Sequence, residues 1–165
     1  MSEFKFLLER EIPRLRRYAR ALARNRERAD DLVQDTLVRA ISKRHLWQDG
    51  TDLRAWLFTI MHNQHVNAVR RAICQENTVD IEHFSTQITA TSDPTASRQL
   101  HELEQALGCI SERQREVILL VGLEGMSYEE VAEILSIPVG TVRSRLSRGR
   151  DALRKLLDMP CQLVA

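Results

Sequence analysis

The chain has 165 residues, enough for one ordinary domain or two small ones, and its 5% aromatic content, six glycines and four prolines favour helices over a sheet protein. Its 24 Lys+Arg and 23 Asp+Glu leave a net charge of +1, and no apolar run is long enough to span a bilayer or form a signal-peptide core, so a cytoplasmic location is expected. Cys74, Cys109 and Cys161 are odd in number and widely spaced, which fits neither a disulfide framework nor a zinc motif.

The near-zero balance conceals a block pattern. Residues 1–74 hold 15 Lys+Arg against 9 Asp+Glu, residues 75–110 hold 1 against 6, and residues 111–165 hold 8 of each. Such blocks predict two nucleic-acid-facing modules separated by an acidic connector.

In chain order, Phe4–Arg10 predicts a short helix and Pro13 the first turn of the next, where Leu15, Tyr18, Ala19 and Leu22 recur at helical spacing. Asn25 is a candidate cap for a helix of about 26–43, with a core stripe of Ala29, Leu32, Val33, Leu37, Ala40 and Ile41. Arg44–Asp52, broken by Asp49-Gly50, reads as an exposed loop. Thr51 or Asp52 then caps a helix carrying Leu53, Trp56, Leu57, Ile60, His65, Val69 and Ile73. Periodicity fails from Gln75 to Ser92, a polar and β-branched stretch that reads as a linker, extended or partly disordered. Asp93-Pro94 opens another helix with Leu100, Leu103, Ala106 and Leu107 on one face. Ser111 and Gln114 have capping-box spacing at the head of a helix with Val117, Ile118, Leu120 and Val121, which Gly125 closes.

The stretch Ser127–Arg150 is the most informative. Ser127 and Glu130 form a second capping box. Val131, Ala132 and Leu135 give the helix an apolar stripe, and Ile137-Pro138 is expected to stop it. A new helix opens near Gly140-Thr141. At about 100° per residue, Val142, Leu146, Gly149 and Leu153 share one side, while Arg143, Ser144, Ser147 and Arg148 lie opposite. A helix-turn-helix needs that division, with an apolar rear that packs and a polar front for the major groove. The planar fork of arginine grips guanine or phosphate. The plainer alternative is a helical hairpin with a solvated basic face.

Two stretches carry a family resemblance. One is Ala29–Ala40 (ADDLVQDTLVRA), followed by Leu53–Asn63 (LRAWLFTIMHN) and Arg70-Arg71; the other is Val117–Ala132 (VILLVGLEGMSYEEVA), continuing through Gly140–Arg150 (GTVRSRLSRGR). In this order across such a linker, they resemble an extracytoplasmic-function sigma factor, the minimal two-domain bacterial sigma subunit. The resemblance implies an all-α fold of two small helical domains joined by a flexible linker: 1–74, which binds the RNA polymerase clamp and opens the minus-ten element; linker 75–93; 94–158, which sits on the polymerase flap and reads the minus-thirty-five element; and tail 159–165. It also implies an anti-sigma partner that occludes polymerase-binding surfaces.

On this reading Asp31, Gln34, Asp35 and Arg39 form a mixed polar face for docking on a charged coiled coil. Trp47, Asn63, Arg70 and Arg71 are the candidates for holding unpaired minus-ten bases and their phosphates. Asn63 matches a family position associated with a flipped-out minus-ten base. Trp56 reads as core, and Trp47 stands between base platform and packing. Thr141, Arg143, Ser144, Ser147 and Arg148 are the candidates for minus-thirty-five recognition. Met61-His62 and Gln64-His65 depart from the small or apolar residues usual in the family. His62 and His65 lie a turn apart, but with only Cys74 nearby they make a poor zinc site. No nucleophile–base pair, phosphate-binding glycine loop or paired catalytic carboxylate is evident, so neither catalysis nor a cofactor is expected. Two other functions stay open: a self-sufficient helix-turn-helix regulator, and a sigma mimic that sequesters a regulator without touching DNA.

Overall fold

The computed structural model describes residues 2–75 and 93–158. Residues 76–92 of the expected linker, the tail 159–165 and Cys161 lie outside them. The first domain consists of α1 (Ser2–Ala23), α2 (Arg26–Ser42), a 3-10 turn at Arg44–Leu46 and α3 (Leu53–Gln75). The second consists of α4 (Pro94–Cys109), α5 (Glu112–Ile118), a π turn at Leu119–Leu123, α6 (Tyr128–Leu135) and α7 (Val139–Asp158). The all-helical, two-domain expectation is met.

Local chemistry places most helix starts. Asn25 Oδ1 accepts from the Arg28 amide at 2.9 Å, and Asp52 Oδ1 accepts from the Arg54 and Ala55 amides at 2.9 and 3.3 Å. Asp93 accepts from Thr95, with Pro94 following it in the first turn, and Ser111 accepts from Gln114. Each cap satisfies an amide that has no partner inside its helix. Both halves of the Ser127–Glu130 box are present: the Ser127 amide donates to Glu130 Oε2 at 2.7 Å and the Glu130 amide to Ser127 Oγ at 3.2 Å.

Four local expectations need correction. Pro13 does not start a helix; it lies inside a continuous α1 on its exposed side, where the missing amide removes one ladder bond without breaking the packing of the buried side. Ile41, at the edge of the stripe, is 59% exposed, while Thr36, unanticipated in the core, is fully buried and its hydroxyl donates to the Leu32 carbonyl at 2.7 Å. The 44–52 segment is not simply exposed, because Trp47 is buried. Pro138 does not end α6. Ser136 does so in the left-handed region at φ +53°, with the Ile137 amide donating back to the Ala132 carbonyl. The Pro138 carbonyl instead accepts from the Thr141 and Val142 amides at the head of α7.

Packing follows the apolar stripes. Leu15, Tyr18, Ala19 and Leu22 of α1 meet Ala29, Leu32 and Val33 of α2 and Leu57, Phe58 and Met61 of α3, with the Tyr18 and Phe58 rings edge to face at 5.0 Å. In the second domain Val117, Leu120, Val131, Ile134, Val142, Leu146 and Leu153 are buried. The buried residues of both domains join in one cluster. Leu146→Ala should therefore cost about 2–5 kcal/mol, whereas Ser147→Ala on the open side of the same helix should stay within about 0.5 kcal/mol; urea unfolding of the two variants checks the assignment.

Candidate nucleic-acid and polymerase interfaces

The predicted division of α7 is realised. Val142, Leu146, Gly149 and Leu153 are buried, while Arg143, Ser147, Arg148 and Arg150 are exposed and Thr141, Ser144 and Arg145 are half-buried. Gly149 matters to this packing, because a Cβ there would lie 2.6 Å from Ile118 Cδ1 and 3.2 Å from Gln114 Cβ of α5. Ser144 Oγ donates to the Thr141 carbonyl at 3.1 Å. The Arg143 guanidinium lies 5.9 Å from the centroid of the Tyr128 ring on α6, a cation–π contact that aims it from the first helix of the motif. Arg154 pairs with Asp151, but among the described residues no acid lies within ion-pair distance of Arg143, Arg145, Arg148 or Arg150. Their charge is available to an anion.

On α3, Asn63, Arg70 and Arg71 are exposed. At ~100° per residue, Asn67 falls on the same side between them; it is exposed, and its carbonyl accepts from Arg71 Nε at 3.3 Å. The sequence reading missed Asn67, although its four-residue spacing from Asn63 was visible. Trp47 does not join this row as a free platform. Its ring packs against Phe4 with centroids 5.4 Å apart, and the Arg44 guanidinium sits 4.8 Å from the Phe4 ring and 4.9 Å from the Trp47 ring. Arg44 also donates to the Trp47 carbonyl and to Asp49 Oδ1 at 3.3 and 2.7 Å. Trp47 thus fixes the shape of the loop before α3.

On α2, Asp31, Gln34, Asp35 and Arg39 are all exposed. Helical spacing places Val38, 67% exposed, in the middle of them and Ile41 at the margin. The face is therefore a polar rim around an apolar centre, the usual make-up of a protein-docking surface. Neither apolar residue was anticipated there.

The domains meet through a polar seam. The Arg115 side chain donates to the Leu107, Gly108 and Ile110 carbonyls at the end of α4 and to the Leu22 carbonyl at the end of α1, at 2.8–3.3 Å. Burial lowers its pKa from the usual value, with Arg24 adding to the effect and Glu112 and Cys109 opposing it. Arg17 pairs with the buried Glu124 at 3.0 Å, and Arg54 donates to the Glu124 carbonyl at 3.2 Å. His62 Nδ1 meets Glu116 and His65 Nε2 meets Glu112. The hydrogen bond from His65 is the main reason the Glu112 carboxyl is held below its ordinary pKa. Burial, then Glu116, Glu124 and Glu112, push the Tyr18 hydroxyl pKa well up. Among the described residues no group of three or more His, Cys, Asp or Glu is arranged to hold a metal, and no helix is long and apolar enough to cross a membrane.

Known proteins match both halves. Residues 8–62 fit the model of the sigma2 domain of PhyR, and residues 100–153 fit that of sigma-70 region 4. The ECF RNA polymerase sigma factor EcfG of Rhodopseudomonas palustris is 39% identical over 146 residues, covering 88% of this chain and 80% of that one. The sigma factor RpoE of Bartonella quintana, solved in complex with the anti-sigma factor NepR, is 38% identical with a TM-score of 0.84, over 96% of this chain and 99% of that one. CnrH, solved with the cytosolic domain of CnrY, is 30% identical with a TM-score of 0.69, over 94% and 87% of the two chains. The agreement runs through both helical domains, and the chain belongs to the extracytoplasmic-function RNA polymerase sigma factors.

Proposed function

We propose that this chain is a dissociable sigma subunit that joins core RNA polymerase, directs promoter-specific initiation and is held in check by an anti-sigma factor. Within it, 1–74 is the polymerase-binding and minus-ten domain, 94–158 the minus-thirty-five domain, 75–93 the linker and 159–165 a tail. The observation that carries the reading is α7: Val142, Leu146, Gly149 and Leu153 are buried on one side, while the opposite side presents Arg143 and Arg148 with no acid in ion-pair reach among the described residues. Thr141, Arg143, Ser144, Ser147 and Arg148 read the upstream element from that side. Asn63, Asn67, Arg70 and Arg71 hold the opened strand, with Trp47 shaping the adjoining loop. Asp31, Gln34, Asp35 and Arg39, around Val38, dock on the clamp, and the second domain rests on the flap. Polymerase supplies the catalysis, which places the protein in the cytoplasm without enzymatic activity of its own. The anti-sigma partner is supported by the complex of RpoE with the anti-sigma factor NepR, whose sigma chain this one matches over 99% of its length.

One observation favours a second reading. The model that fits residues 8–62 is described for PhyR, and a solved PhyR, 16% identical to this chain, is an anti-anti-sigma factor bound to NepR. A mimic has no need of a basic reading face, and α7 keeps one. Transcription in vitro with core polymerase decides the matter: a promoter-directed transcript is expected, whereas capture of a NepR-type protein with no transcript from any genomic template would mark a mimic.

Two variants test the assigned faces. Arg143→Ala and Arg148→Ala should each cost about 1–3 kcal/mol of base discrimination where the contact is bidentate, measured by competition between promoter duplexes; unchanged preference in both would displace the reading face. Asp35→Arg should weaken association with core polymerase while leaving duplex preference as it was, and equal polymerase affinity would remove the α2 assignment.

A further inference from the structure

Arg143 and Arg148 of α7 are both exposed, yet their surroundings differ. The Arg143 guanidinium lies over the Tyr128 ring, 5.9 Å from its centroid, and among the described residues Arg148 has no such contact. Tyr128 is the first residue of α6. Its neighbour Ser127 is tied to Glu130 by the two capping bonds at 2.7 and 3.2 Å, so the backbone that carries the ring is fixed where the helix begins. The ring is half-buried and packs against the core, and Val131 and Ala132, one turn on, are buried. A ring anchored in this way does not follow a wandering side chain; the arginine comes to the ring.

We propose that Tyr128 is a positioning residue for upstream recognition: its ring holds Arg143 in advance, so that the identity of one base pair depends on a side chain that need not touch DNA. The proposal rests on the sigma-factor reading, with α7 as the reading helix. The two contacts open to Arg143 do not compete. A cation–π contact uses the face of the planar guanidinium, whereas its N–H donors lie in the plane and point out from its edge. Arg143 can therefore stay over Tyr128 and still offer its edge to a guanine. An exposed arginine with no acid in reach otherwise samples many rotamers, and ordering it on binding costs conformational entropy. A ring that orders it beforehand lowers that cost and restricts where the fork points. Arg148 lacks this support, so the two arginines should respond differently when the ring is removed.

The test uses the full chain assembled with core polymerase, and competes promoter duplexes carrying single base-pair changes across the upstream element. Tyr128→Leu keeps an apolar side chain against the core but removes the ring. It should lower discrimination about two- to fivefold, the scale of an exposed cation–π contact, at the base pair where Arg143→Ala also lowers it. Discrimination at the position that Arg148→Ala affects should stay parental. Tyr128→Phe, which retains the ring, should keep the parental ratio at both. In an Arg143→Ala background Tyr128→Leu should have no further effect. If Tyr128→Leu loses its helical circular dichroism, Tyr128→Met takes its place with the same expectations. Parental discrimination in the folded ringless variant overturns the proposal, as does an equal loss with and without Arg143, the mark of a purely structural role. So does a Tyr128→Phe variant that weakens binding to every duplex alike, which would assign the hydroxyl to a phosphate. Should Arg143→Ala itself leave preference unchanged, the reading face and the role of Tyr128 fall together; should it change preference while Tyr128→Leu does not, only the role of Tyr128 falls.

Discussion

The Arg115 guanidinium is the contact on which the arrangement of helices turns. The last carbonyls of a helix have no amide to bond within it, and they carry the negative end of its dipole. Here one cation from α5 gathers three such carbonyls at the end of α4 and one at the end of α1. A lysine could not replace it, because a point charge on a flexible stem lacks the planar fork that serves several acceptors at once. Gly108 contributes by having no side chain, since a Cβ there would lie 2.0 Å from Arg24 Cζ. The Arg24 guanidinium, from the residue that follows α1, fills that space.

Around this centre the charges sort by task. Arg17, Arg54 and Arg115 are spent on the seam, and the acids of α5 and its following turn are spent with them. The cations of α7 and the end of α3 are left facing outward. The block pattern of the sequence thus resolves into inward and outward sets, and the overall balance of +1 describes neither. A protein that must hold itself together and also attract a polyanion benefits from that separation, since exposed cations act over a Debye length while the buried pairs are little screened.

Much of this was legible in the residues. Asn25, Asp93, Ser111 and Ser127 announced their helices because capping is local, and the two sides of α7 followed from period alone. Less local outcomes were hidden. Ile41 has the spacing of a core residue, yet it is 59% exposed among the described residues, and periodicity cannot say how wide a buried stripe will be. Trp47 was ambiguous because its partners, Phe4 and Arg44, come from a distant helix and from its own turn. Val38 and Asn67 were passed over since neither stands out beside its charged neighbours. Contacts between the domains left no mark at all: His62 and Glu116 are 54 positions apart, and no pattern of period or charge ties them.

The wide turn at Leu119–Leu123 carries a consequence of its own. Its closing bond runs from the Glu124 amide to the Leu119 carbonyl, five residues back, where an ordinary helix would reach four. That extra residue sets the phase of everything after it. Removing one position from this bulge would rotate the downstream chain by about 100°, carry Glu124 away from Arg17, and swing the entire reading motif to another bearing. Length at this point is thus a geometric parameter, and relatives should tolerate substitutions here more readily than deletions.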